Sequence, residues 1–201
     1  MGGASQALAQ RGVFINVPYD AGYEQNFLAL ISALISIGRS PRCAAEERVL
    51  GRIRVDQIFK LIKACKVSIH DLCRVTRPLR FNIPFELGIA YALSKLQGHK
   101  FIMIEAKKYR SDVTLSDLKG VDCFAHGNKP RQVVSLVLSE LGSTRRPPDI
   151  EKVMQIFDHL CQAAPQLKRR HPGSGLFYRP IISTLIAVAT QRAVSLGIIN
   201  P

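Results

Sequence analysis

Three short stretches of this basic chain carry side chains able to act on a sugar or a nucleotide. Tyr19 and Asp20 follow the apolar run VFINV at 13–17, Asp71 closes the run VSIHD at 67–71, and Glu86 stands two residues after Pro84 in PFELG. Proline suits the first helical position, so Pro84 predicts a helix start with Glu86 as its third residue. There the exposed N–H groups and the positive end of the helix dipole keep a carboxylate ionised. An ionised, oriented carboxylate is what attack on an anomeric carbon requires. Tyr19 can wall a planar ligand, and Asp20 and Asp71 can bind hydroxyls or move protons. Gly88 leaves room for a ligand to approach closely. Each residue also has a plainer reading. Glu in a first turn is favoured by capping alone, at roughly 0.3–1 kcal/mol. Asp20 and Asp71 are common turn residues, Tyr19 is an ordinary surface aromatic, and His70 on an apolar strand is usually a satisfied core histidine.

These residues gain meaning only if the fold gathers them. VFINV reads as a buried strand. Residues 23–37 carry helical periodicity through Phe27, Leu30, Ile31, Leu34 and Ile35, and Gly38 ends that helix. A weak strand at 42–45, a helix at 53–65 and a strand at 67–72 follow. A helix from Pro84 to about Leu96, a strand at 101–105, a partly irregular stretch at 106–120, a strand at 122–125 and a helix at 130–141 complete the pattern. Such alternation predicts an α/β fold with a flavodoxin-like, doubly wound, parallel five-stranded sheet of order 2-1-3-4-5. Ligands of these sheets bind outside the carboxyl ends of the strands, at the switch point between the first and third. The loop bearing Tyr19 and Asp20, the end of the strand bearing His70 and Asp71, and the start of the Glu86 helix should meet there. STRRPP at 143–148 marks a boundary. The expected division is an α/β domain at 11–142 and a C-terminal helical appendage at 149–201, made of a helix to about 163, a basic Gly/Pro loop at 165–180 and a final helix.

The chain has 201 residues, 47% of them hydrophobic, enough for a sizeable core. Lys and Arg number 28 against 15 acids, for a net charge of +13. That excess favours anionic partners or simply a basic solvated surface. Five scattered cysteines without a CxxC pair argue against a disulfide framework or a metal site, and fit a reduced, cytoplasmic protein. Met1 to Gln10 lacks the apolar core of a signal peptide. Thr190, Gln191 and Arg192 interrupt the apolar stretch from Ile181 to Ile199, so no membrane association is expected.

Ser68-Ile69-His70-Asp71-Leu72 followed by Arg80-Phe81-Asn82-Ile83-Pro84-Phe85-Glu86-Leu87-Gly88-Ile89-Ala90 resembles the nucleoside 2-deoxyribosyltransferase-like proteins and the related TIR-type domains, including an uncharacterised bacterial branch. The resemblance covers about residues 11–141 and centres on Glu86-Leu87-Gly88-Ile89-Ala90. It implies cleavage or transfer at an N-glycosidic bond of a nucleotide, a nucleoside or NAD, with NAD a substrate rather than a cofactor and no cofactor required. Glu86 would be the nucleophile or the carboxylate that stabilises an oxocarbenium ion. Asp71 and Tyr19 would bind ribose or orient Glu86. The second acid and the Gly-Thr-like pair usual in deoxyribosyltransferases are replaced here by Arg80-Phe81-Asn82-Ile83-Pro84. Asn82 is left to bind a sugar hydroxyl, and Arg80, with Arg74 and Arg77, to bind phosphate. A non-catalytic, self-associating, nucleotide-sensing module is the alternative, and a homo-oligomer is expected on either reading. Nucleic acid is disfavoured as a partner, because no DNA-binding motif accompanies the basic residues.

Overall fold

The computed structural model describes residues 11–45, 53–74, 81–108, 115–143 and 145–200. It is an α/β fold with an all-parallel five-stranded sheet in the order 2-1-3-4-5, flanked by helices, with further helices at the C-terminal end. The expected fold class is borne out. The strands are β1 (Gly12–Asn16), β2 (Ser40–Cys43), β3 (Val67–Asp71), β4 (Lys100–Glu105) and β5 (Cys123–Ala125). The helices are α1 (Glu24–Ser36), α2 (Arg54–Ala64), α3 (Asn82–Gln97), α4 (Pro130–Leu141), α5 (Ile150–Arg170) and α6 (Arg179–Ser195). The chain divides into two compact units, one of residues 1–18 and 42–127, the other of 19–41 and 128–201.

The first unit holds most of the sheet with α2 and α3. Its strands are β-branched or aromatic, and β1 and β3 are buried along their whole length. The register pairs Asn16 with His70, His70 with Met103, and Met103 with Cys123. These four side chains therefore share one face of the sheet. Leu72 and Met103 pack with Ile83 and Leu87 of α3, and Phe101, Leu115, Leu118 and Val121 close over the cluster.

In the second unit, α1 packs against α4, α5 and α6. Every residue of α1 from Asn26 to Ser36 is buried, so the helix is a core rod rather than a surface helix. Burying each of Phe27, Leu30, Ile31 and Leu34 stabilises by about 1.5–3 kcal/mol. Gly38, at φ +68°, ends α1 as expected, its N–H donating to the Ile35 carbonyl at 2.9 Å.

Several boundaries differ from expectation, the second strand lying at Ser40–Cys43 rather than 42–45, and two of the differences matter here. Helix α5 continues to Arg170, through Pro165, where a basic loop was expected. Leu160, Ala164 and Leu167 extend its buried stripe past the proline, and Lys168 pairs with Glu24 of α1 at 2.7 Å. Pro165 itself is exposed, and it leaves the Cys161 carbonyl without its usual helical N–H donor. Helix α3 begins at Asn82, not Pro84. First-turn N–H groups have no acceptor within the helix, so proline, which lacks an N–H, is tolerated throughout that turn, and here it occupies the third position.

Candidate functional site

The carboxyl ends of β1 and β3 are tied to the start of α3 by Asn16. Its Nδ2 donates to the Ile83 carbonyl at 3.0 Å and to His70 Nδ1 at 2.9 Å. The network continues inward: His70 Nε2 lies 2.8 Å from Ser68 Oγ, Ser68 Oγ 2.8 Å from His99 Nε2, and His99 Nδ1 2.9 Å from the Cys65 carbonyl. One assignment of hydrogens satisfies every atom. The Ile83 carbonyl forces the Asn16 amide to present N–H groups on that side, so His70 Nδ1 must accept. His70 Nε2–H then donates to Ser68, the hydroxyl donates to His99, and His99 Nδ1–H donates to Cys65. Both imidazoles are neutral in this arrangement. Burial pushes the His70 pKa down to about 3, with His99 adding to the effect, and burial lowers His99 as well. His70 is the satisfied core histidine of its plainer reading.

Asp71, the last residue of β3, is fully buried. Its Oδ1 accepts from the Cys73 N–H at 2.8 Å, a local turn that re-aims the chain after the strand. Its Oδ2 lies 3.0 Å from Nε2 of His126, which is also buried. The His126 N–H in turn donates to the Glu105 carbonyl at 2.9 Å. Asp71 thus clasps the ends of β3, β4 and β5 together. Both its oxygens are engaged inside the unit, which makes it a positioning residue.

Glu86 is the fifth residue of α3, not the third, because the helix starts two residues earlier than expected. The expectation that helix N–H groups keep it ionised is therefore corrected. The unpaired N–H groups of a helix belong to its first four residues, and dipole stabilisation fades within the first turn. The side chain is 6% exposed, and its carboxylate has no hydrogen-bond partner among the described residues. Desolvation raises its pKa to about 7, against a smaller opposing pull from Arg54 at the start of α2. A largely buried carboxyl with no hydrogen-bond partner among the described residues, its pKa pushed towards neutrality by desolvation, is a recurrent mark of functional sites.

Asn82, exposed and four residues earlier, lies on the Glu86 side of the helix. Gly88 does not. Two residues turn a helix by about 200°, so Gly88 faces away from Glu86. It borders instead a groove of about 290 Å³ shared with Tyr91 and the turn at 115–118. The room that Gly88 leaves is therefore on the groove side of the helix, not beside Glu86.

Tyr19 and Asp20 belong to the other compact unit. The Tyr19 ring meets Phe177 edge-on at 5.1 Å, and Phe177 also contacts Phe27 at 5.0 Å. Asp20 precedes a short 3₁₀ turn, Ala21–Tyr23; its carbonyl accepts from the Tyr23 N–H, and its side chain does not cap the turn. Arg77, Arg80 and the side chain of Arg74 lie outside the described residues. Among those residues no three His, Cys, Asp or Glu side chains group as metal ligands, and no helix is long and apolar enough to cross a membrane.

Sequence reasoning missed Asn16, His99 and His126. A signal existed for the first: Asn16 is the single polar residue of VFINV, and His70 holds the corresponding position in VSIHD. Polar residues ending adjacent apolar strands must satisfy each other. His99 and His126 sit in unremarkable loop contexts and carry no such signal. No family model, no curated protein and no solved structure matches this chain.

Proposed function

We propose that this protein cleaves or transfers at the N-glycosidic bond of a nucleotide, nucleoside or NAD, with Glu86 as the carboxylate facing the anomeric carbon. The observation that carries the reading is the state of Glu86: buried, without a hydrogen-bond partner among the described residues, with a pKa near 7. A desolvated carboxylate is poorly stabilised by itself. Its attraction to an oxocarbenium-like sugar is strong for the same reason, because little water screens it. The stabilisation therefore appears mainly as charge develops, which lowers the barrier rather than only tightening binding. Asn16 supports the assignment by holding the first turn of α3 to the ends of β1 and β3, where the strand order reverses. Asn82, on the Glu86 side of α3, is placed to bind a sugar hydroxyl. Asp71 acts through position, by fixing the end of β3.

The ionised form of Glu86 is the active one. Turnover should rise with pH and level off above an apparent pKa near 7. The direct test incubates the protein with NAD, NMP, dNMP and deoxynucleosides and follows released base by chromatography. Glu86→Gln should retain the fold and lose at least ~100-fold in rate. No base released from any substrate, or a Gln variant as fast as the parent, overturns the assignment.

A second reading has an observation of its own. Ile53, Val55 and Phe59 of the α2 region and Phe81 and Phe85 of the α3 region are exposed, Phe81 by 73%. Large apolar side chains gathered on two packed helices favour a self-associating module. That reading predicts an oligomer by light scattering that Phe59→Ser together with Phe85→Ser dissolves.

A further inference from the structure

Gly88 poses a problem that its own chain does not solve. It lies inside α3 with ordinary helical backbone, where glycine is costlier than alanine. A positive φ would justify it, and so would a close neighbour, yet its backbone is not left-handed and nothing stands within 4 Å of where a Cβ would be. What the missing side chain does is keep open the groove of about 290 Å³ on the side of α3 away from Glu86.

The groove has a defined chemistry. Leu87 and Leu118 of its lining belong to or pack on the apolar cluster over the sheet. Tyr91 lines one side, its ring fixed edge-on against Phe101 at 6.0 Å and covered by Lys95 Nζ at 5.1 Å. Ser116 and Asp117, in the short 3₁₀ turn Ser116–Leu118, supply a hydroxyl and a carboxylate. Apolar walls with a hydroxyl and a carboxylate on one side suit a planar ring that carries N–H donors.

The geometry points to the Gly88 groove as a second ligand site, separate from Glu86, that takes a planar heterocycle bearing an exocyclic amine. The ring lies against Leu87 and Gly88 beside Tyr91, and the amine donates to Asp117. The site does not depend on the reaction proposed for Glu86 and stands or falls by itself.

The test titrates adenine, with purine as the analogue lacking the amine, into the full chain and follows backbone amide shifts by NMR. Adenine should saturate, with shifts centred on 84–91 and 115–118, and should bind more tightly than purine. Gly88→Ala, which places a methyl in the groove, should lower the affinity several-fold, and Gly88→Leu, which fills it, at least ~10-fold. Asp117→Asn should remove the preference for adenine over purine. Glu86→Gln should leave binding unchanged, which separates this site from the other. If circular dichroism shows that Gly88→Leu is not folded, Tyr91→Ala carries the same expectation. No saturable shift, equal affinity in the groove-filling variant, equal binding of purine, or shifts centred elsewhere overturns the inference.

Discussion

Two buried residues of the sheet unit have pKa values shifted in opposite senses, and each makes stability depend on pH. Glu86 has a pKa raised from 4.5 to about 7 on folding. The folded state holds its proton more tightly than the unfolded chain, so stability falls as pH rises from 4.5 to 7. His70 is lowered from 6.5 to about 3, so the unfolded chain binds the proton instead, and stability falls as pH drops from 6.5 towards 3. Between 4.5 and 6.5 the two effects oppose each other. Glu86→Gln removes one of them, because a neutral amide has no charge to desolvate. The variant should be more stable than the parent by about 2–3 kcal/mol above pH 7 and nearly equal to it near pH 4.5. Its urea midpoint should climb more steeply than the parent's between those limits. A constant offset at all pH values would mean that Glu86 does not titrate as a buried acid. Asn16→Ala is a separate probe. It takes a donor from the Ile83 carbonyl and from His70 Nδ1 at once, and should cost about 1–3 kcal/mol in urea unfolding. Loss well under 0.5 kcal/mol would show that β1 and α3 are held together by apolar packing alone.

The elements were largely legible because their patterns are local. Residues 23–37 announce a helix by periodicity, and Gly38 ends it at φ +68°, as a glycine after a periodic run should. The runs VFINV and VSIHD announce strands by β-branched content, and alternation with helices implies the parallel order that the sheet has. What failed to show depends on contacts distant in sequence. Helix α3 starts at Asn82 although proline signals position 84, and that shift of two residues moves Glu86 beyond the first-turn N–H groups. The hydrogen bonds from Asn16 to Ile83 and His70 span 67 and 54 residues; the polar positions in VFINV and VSIHD hint at the second, and nothing local reports the first. Helix α5 passes through Pro165 because Leu160, Ala164 and Leu167 are paid for by tertiary burial, which overrides the intrinsic cost of proline. The cost remains in the fold, so Pro165→Ala, at an exposed position, should stabilise the chain by about 1–3 kcal/mol and raise the thermal midpoint. A lower midpoint would show that the proline shapes α5 in a way its exposure conceals.

At the scale of the molecule the two compact units are not continuous in sequence. Residues 19–41 leave the sheet unit and join the helices of 128–201, so the backbone passes between the compact units three times, near 18, 41 and 127. Helix α1 has no apolar residue from Phe27 to Leu34 that water reaches, and α4, α5 and α6 are the elements packed on it in its unit. A chain ending at residue 142 keeps α4 and loses α5 and α6. Phe27 then loses Phe177, which it meets at 5.0 Å, and Glu24 loses Lys168. Uncovering several side chains worth about 1.5–3 kcal/mol each exceeds the margin of about 5–15 kcal/mol that a domain usually has. The fragment 1–142 should therefore be insoluble or expanded and bind more ANS than the full chain does. A soluble fragment with a cooperative unfolding transition would establish instead that 149–201 is an appendage, and that the burial of α1 against α5 and α6 is not needed for the sheet to form.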